Sequence, residues 1–414
     1  MRGWGGSWRP SALKEVEVDN IAPAGFNSIS LAGIGLSCSL IEPLSLKNSK
    51  DWSLIVSELE EWGDVPNPNS LEVESLSENE FGPIATIRDS SVWTIEFLPW
   101  GSDGLLRRRC SSPIDFLHAP CGGYTWNDSD LIIVRKESQF PAVSSELISS
   151  LKSENLSEAK EILRNCGNVL GLYHNSVHNS RTTPPDPKRW NERLAGIEES
   201  LRADSIWRGQ HSRDTECMLS LGDLRFDYFL GDKIRLNRPR LADALVEKSC
   251  EFPAIRDLAS LIHDLSRLHF QEKSTLDIVE LRLSLIEGWK NNAPEKWCSE
   301  RVFYSHRGGI AIWEYEQCLL DVIEAVSNQS GAPEPAVSLI RFVRPYQKRM
   351  FNNRTIGALS FMSAFFGISN LLNNLPLDAG DIPIPVFLLT FSYALLRFYR
   401  RMAPPPEIPF THYV

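Results

Sequence analysis

Met218-Leu-Ser-Leu-Gly-Asp-Leu-Arg-Phe-Asp-Tyr-Phe-Leu230, followed by Arg240-Leu-Ala-Asp-Ala-Leu-Val-Glu247 and Phe252-Pro-Ala-Ile-Arg-Asp-Leu-Ala-Ser-Leu-Ile262, is the stretch on which the fold is read. It predicts a strand ending in Gly222-Asp223, a short loop, a second strand ending in Asp243, and then a helix. A phosphotransfer site can be built on such a frame. One carboxylate must lie where it accepts the proton of a substrate hydroxyl, and another must hold Mg²⁺ against nucleotide phosphates. Asp223 and Asp243 suit those two roles, although an Asp after a strand also reads simply as a turn cap.

Working outward, residues 150–330 predict helices. Ala159, Ile162, Leu163, Cys166, Val169, Leu170 and Tyr173 recur at helical spacing behind Ser157 as N-cap. The loop Thr182-Thr-Pro-Pro-Asp-Pro187 stops that helix, and a second carries Trp190, Leu194, Ile197 and Leu201 on one face. Further helices are predicted at 254–270, 275–290 and 300–326, with one β segment around Cys217 to Leu245. Upstream, residues 1–146 read as β-rich, with strands at Ile84-Ala-Thr-Ile, Val92 to Leu98 and Leu131 to Arg135. A helix at Trp52–Trp62 and a polar loop at Asn67–Glu80 complete that region.

The segment around Asp223 resembles the His-Gly-Asp loop, metal-binding Asp and Asp-Leu-Ala helix of aminoglycoside phosphotransferases, choline kinases and maltokinase-like enzymes. Leu170-Gly-Leu-Tyr-His174 is similar to the Leu-Gly-x-Leu-His helix that precedes the loop in those families. Leu285-Ile-Glu-Gly-Trp289 and Trp313-Glu-Tyr-Glu-Gln317 resemble the helices that close their C-terminal lobe. The resemblance spans residues 150–326 and implies an α+β, protein kinase-like two-lobe fold, with a β-rich N-lobe (1–146) and a helical C-lobe (147–330). It implies ATP and Mg²⁺ as cofactors, Asp223 as catalytic base, Asp243 as metal ligand and Asp257 as a structural residue. Two positions depart from the pattern: Leu221 stands where the family has His, and Tyr228 where it has the Asn that holds a second Mg²⁺. Asp227 takes the place of that Asn if the loop shifts by one residue. No glycine-rich phosphate loop is recognisable in the N-terminal region, and Lys136 is the one strand-end lysine to nominate for nucleotide binding.

Composition narrows the classes. A 42% apolar share with twelve Trp and nineteen Phe in 414 residues predicts a folded chain rather than a disordered one. A formal charge of −10 opposes general nucleic-acid binding, which needs a basic footprint. Eight cysteines without a CxxC pair point to neither a zinc site nor a disulfide framework, and so to a reducing cytoplasm. No signal peptide is read at the N-terminus. His174 and His178, four apart, lack a third metal ligand and read as a helix end; His306-Arg-Gly-Gly309 reads as a helix kink and Arg107-Arg-Arg109 as a solvated loop. No nucleophile elbow, Walker sequence or dinucleotide fingerprint occurs.

The last segment, 331–414, differs from the rest. Ile356–Leu372 and Ile382–Leu396 are uncharged runs. Arg341, Arg344, Lys348, Arg349 and Arg354 precede the first; Arg397, Arg400 and Arg401 follow the second; Asp378 and Asp381 lie between. That is the positive-inside pattern of a two-helix membrane hairpin, which would keep the globular part and the C-terminus cytoplasmic. Gly357, Ala358, Ser360, Ser363, Ala364 and Gly367 are small enough for two helices to approach closely in lipid. The runs are short and carry Pro383 and Pro385, so a buried helical pair in a soluble cytoplasmic protein is the alternative. Two functions follow: an ATP-dependent phosphotransferase for a small hydroxylated molecule at the inner face of a membrane, or an inactive kinase-like binding or scaffold protein there.

Overall fold

A computed structural model describes residues 4–17, 21–68, 71–101, 107, 110, 115–136, 141–178, 184–202, 211, 216–218, 220–246, 252–299, 309–376, 378, 380 and 382–402. The expected features at Thr182–Thr183, Arg108–Arg109, His306–Gly308 and Asp381 lie outside these residues.

The N-terminal region is built of antiparallel sheets. Strands β1 (Lys14–Val16), β2 (Phe26–Gly33) and β3 (Leu36–Pro43) form the first, and the β2–β3 turn places Ile34 and Gly35 at φ 52° and 82°. Positive φ at both central residues is what a two-residue hairpin requires. The second sheet has six strands in the order β4 (Glu60–Gly63), β9 (Gly122–Trp126), β10 (Ser129–Lys136), β7 (Val92–Phe97), β6 (Gly82–Arg88) and β5 (Glu72–Asn79). Asn127 and Asp128, both with positive φ, turn β9 into β10. The predicted strands at 84–87, 92–98 and 131–135 are β6, β7 and β10.

Two expectations in this region are corrected. Helix α1 runs only Ser49–Val56, capped by the Asn48 side chain, and the chain then enters edge strand β4. The polar stretch expected as a loop contains β5, the opposite edge. An edge strand with both faces wet needs no apolar alternation, so its sequence carried no strand signal.

A third small sheet joins the halves: β11 (Phe229–Leu230) pairs antiparallel with β12 (Lys233–Arg235), which pairs parallel with β8 (Leu117–His118). The remainder is helical: α2 (Val143–Lys152), α3 (Leu156–Val177), α4 (Pro187–Ser200), α5 (Leu241–Leu245), α6 (Ala254–Gln271), α7 (Ile278–Asn292) and α8 (Ile310–Ser327). Asn155 caps α3, not Ser157, which lies within the first turn. Helices α3 and α7 cross closely because Gly167, Gly171 and Gly288 lie in the contact, where an added Cβ would strike the facing backbone. The chain is thus a mixed α/β protein, β-sheet first and helical afterwards. The core of α1 and the six-stranded sheet gathers Trp52, Ile87, Trp93, Phe97 and Ile132. A larger core in the helices also takes Trp8, ahead of the first sheet, and Leu31, Leu36 and Leu40 from it, so that sheet packs on the helical part.

After α9 (Ala336–Arg341) come α10 (Val343–Asn373) and α11 (Pro383–Met402), packed against each other. Val343 and Tyr346 at the start of α10 are buried in the helical core. Farther along, the hairpin is stitched by Ser360 and Ser392, each hydroxyl donating to the other's carbonyl at 2.8 and 2.7 Å. Its outside is bare: Phe361 is 73% exposed and Phe387 66%. The 336–373 segment is long and apolar enough to cross a membrane, and only 11% of its most apolar window is buried.

Candidate active site

The Gly222-Asp223 loop is held rigidly by α6. Asp257 accepts the N–H groups of Leu221 and Gly222 at 2.7 and 3.2 Å, Ser260 Oγ accepts from Leu224 N at 2.9 Å, and Asp264 accepts from Phe226 N at 2.8 Å. Residues 257, 260 and 264 share one helix face, so a single helix edge satisfies four backbone donors of the loop. Gly222 has φ 85°, a conformation that suits glycine and turns the chain so that Asp223 follows. Asp257 is oriented in turn by His174, whose Nε2 lies 3.3 Å from it while Nδ1 accepts from the Trp289 indole at 2.8 Å. His174 is therefore a buried orienting group. His178, at the end of α3, contacts the Asn175 carbonyl.

The side chain of Asp223 is only 12% exposed, and each of its oxygens has a partner. Arg240 donates to Oδ2 at 3.3 Å, Gln317 donates to Oδ1 at 2.9 Å, and the Arg256 guanidinium lies 3.4 Å from Oδ1. Burial alone would push this carboxyl up, but the two guanidinium groups and the Gln317 hydrogen bond hold it below the usual carboxylate range. Around it runs a chain of buried ion pairs. Arg240 also reaches Glu324 and Asp321 at 2.6 and 2.8 Å, Arg256 reaches Glu316 at 3.0 Å, and Glu316 reaches Arg193 at 2.8 Å. Beyond Asp321, His263 lies 2.7 Å away and touches Cys318 at 3.7 Å through its other nitrogen.

Of the other expected site residues, Asp243 stays beside Asp223, since Arg240 meets both, whereas Asp227 and Lys136 have other surroundings. The strand predicted to end in Asp243 ends at Arg235, and Asp243 sits in the first turn of α5, where its carboxylate accepts from the Arg240 backbone at 3.2 Å. Its charge is felt at Arg256, where Glu316, Asp223 and Asp243 together offset the cost of burial. Asp227 is exposed on a 3-10 turn, Phe226–Tyr228. Lys136 does end β10, but its half-exposed ammonium pairs with Asp64 at 2.7 Å over the Trp93 ring.

The seam between the β-rich and helical regions is crossed by contacts of residues that the sequence reading missed. Buried Glu96 on β7 pairs with Arg135 at 3.2 Å and with Arg235. Burial would raise its carboxyl, and Arg135, Arg235 and Arg238 hold it low. Arg238 donates to the Pro83 and Phe97 carbonyls at 3.3 and 3.4 Å. The Asn237 amide donates to the Tyr228 hydroxyl, and Arg225 pairs with Glu80 of the β5–β6 turn at 2.9 Å. The one visible signal was the run Arg235-Leu-Asn-Arg-Pro-Arg240, dense in arginine within an acidic chain.

These residues do not present a set of free ligands for Mg²⁺. A hard divalent cation needs several free oxygen ligands at one point. Asp223 is committed to two arginines, Asp243 to its helix start, and Asp227 points from an exposed turn. No group of three His, Cys, Asp or Glu that could hold a metal occurs among the described residues.

No protein-family model matches the sequence, and no curated protein matches it. Among solved structures, the chain is similar to a glucosamine kinase in complex with glucosamine, ADP and inorganic phosphate, at 10% identity over 78% of this chain and 93% of that one, with a TM-score of 0.46. A second crystal form of a glucosamine kinase aligns over 83% of this chain and 97% of the other at 10% identity, with a TM-score of 0.48.

Proposed function

We propose that this chain is a kinase-like binding or scaffold protein that does not carry out phosphotransfer and is held at the cytoplasmic face of a membrane by its C-terminal hairpin. The observation that supports it is the engagement of both Asp223 oxygens by Arg240, Arg256 and Gln317. A general base must offer a free lone pair to the acceptor hydroxyl and have enough proton affinity to take its proton. The two guanidinium groups lower its proton affinity, and Arg240 and Gln317 each occupy a lone pair on it. In the seam, the Glu96–arginine cluster supports a fixed relation of the two regions rather than an opening and closing cleft.

The tether rests on the exposed apolar outside of α10 and α11, with basic residues at one end and Asp378 in the connection. Ser360 and Ser392 satisfy each other inside the hairpin, as polar groups in hydrocarbon must.

Thermal unfolding with ATP, with and without Mg²⁺, tests the binding-site reading, because a ligand that binds only the folded state raises the midpoint. The expected result is no Mg²⁺-dependent shift and no transfer of γ-phosphate to hydroxylated acceptors. Turnover that is lost in Asp223→Asn would establish the second reading, a phosphotransferase for a small hydroxylated molecule. One observation favours that reading: the Gly222-Asp223 loop is pre-organised by Asp257, Ser260 and Asp264, as a catalytic loop must be.

A further inference from the structure

A cavity of about 370 Å³ lies away from Asp223, between the β2–β3 hairpin, α4, the end of α5 and α8. At ~30 Å³ per water molecule it has room for roughly a dozen non-hydrogen atoms. Leu36, Ile197 and Val246 supply apolar wall, and Arg189, Arg193 and Gly196 line it from successive turns of α4. The arginines differ in state. Arg189 is exposed at the start of α4, whereas the Arg193 side chain is only 5% exposed. One guanidinium nitrogen of Arg193 reaches Glu316, but its Nε has no hydrogen-bond acceptor among the described residues. A buried N–H without an acceptor gives up its hydration for nothing, and a ligand oxygen in the cavity would remove that cost. Glu192, the one carboxylate on the wall among the described residues, is paired with Lys188 at the surface. Gly196 leaves the cavity open, since a Cβ added there meets nothing within 4 Å.

We infer that this cavity binds a small organic anion, a phosphate or carboxylate on a short body, gripped by Arg193 from within and by Arg189 at the mouth. Guanidinium forks suit both groups, because each presents oxygens at the spacing of paired N–H donors. The apolar wall covers the body of the ligand. The site stands whether or not nucleotide binds near Asp223, although the ion-pair chain Arg193, Glu316, Arg256, Asp223 connects the two.

The test is thermal unfolding of the full chain in detergent, titrated with glycerol 3-phosphate, with malate, and with glycerol as the uncharged control. At least one anion should raise the midpoint in a saturable way while glycerol leaves it unchanged; phosphate and carboxylate recognition are told apart by which one does. Arg189→Ala should weaken that binding at least tenfold. Gly196→Leu, whose Cβ meets nothing within 4 Å and whose side chain would occupy the cavity, should abolish the shift and leave the unliganded midpoint no lower. The inference is overturned if neither anion shifts the midpoint, if glycerol does so equally, or if the shift survives in Gly196→Leu. Because Gly196 is not among the partners of Asp223, a nucleotide titration of the same variant separates failure of this site from failure of the function proposed above.

Discussion

Asp257 Oδ2 accepts the Leu221 backbone N–H at 2.7 Å, so the turn that presents Asp223 is held by a residue 36 positions later in the chain. The carboxylate is buried and serves two N–H donors, which an amide cannot do without turning an NH₂ group toward one of them. Asp257→Asn should therefore cost about 1–3 kcal/mol in chemical denaturation. A loss below about 0.5 kcal/mol would mean that the loop keeps its shape by other contacts.

Replacing Asp223 separates staple from base. If its role is to neutralise Arg240 and Arg256, Asp223→Asn leaves them only Glu324, Asp321 and Glu316 and should lower stability by about 1–3 kcal/mol. Residues kept for catalysis are commonly held at a cost in stability, so a catalytic Asp223 would give a variant as stable as the wild type or more so. The direction of the change in unfolding midpoint decides between them.

Acid sensitivity should appear in a window set by His211. Its ring is buried against Trp190 and Trp313, and burial pushes its pKa down to about 4, with Glu316 opposing and Arg193 assisting. The unfolded chain takes up a proton near pH 6.5 and the folded one only near 4. The stability from the neutral ring is thus complete above about pH 6.5 and falls away as the pH drops toward 4, by at most about 3 kcal/mol. Depressed carboxylates such as Asp223 and Glu96 add losses at still lower pH. Unfolding free energies at pH 7, 5.5 and 4.5 should fall more steeply for wild type than for His211→Phe; parallel slopes would refute the assignment.

The parts legible beforehand were those that bury one periodic face. Trp190, Leu194 and Ile197 lie buried on α4 as their spacing predicts, and β10 buries Leu131 to Val134 without interruption. Strand β5 was hidden because an edge with wet faces leaves no alternating pattern. At the site, Asp223 and Asp257 could be picked out by local context. Arg240, Arg256 and Gln317 could not, because their convergence on Asp223 depends on how α5, α6 and α8 pack, and a long polar side chain reads as solvated until its neighbours are placed. Asp243 was misplaced for a related reason: the chain leaves the sheet after Arg235, and the later Asp serves a helix start.

The tail can be removed only at the right residue. Truncation before residue 350 would cut into α10 where Val343 and Tyr346 are buried in the helical core, and Asn353 is buried as well. Past Arg354 the helix exposes Leu359, Phe361, Met362, Phe365 and Phe366 in succession, and α11 exposes Ile384, Val386, Phe387 and Phe391. An uncovered apolar surface on that scale is unfavourable in water and favourable in hydrocarbon, with the arginines left at the headgroups. Full-length protein should therefore sediment with membranes through an alkaline wash, and a chain ending at residue 354 should be soluble with an unchanged unfolding midpoint. Full-length protein that is soluble and monodisperse without detergent would overturn the tether, because something other than lipid would then cover this surface.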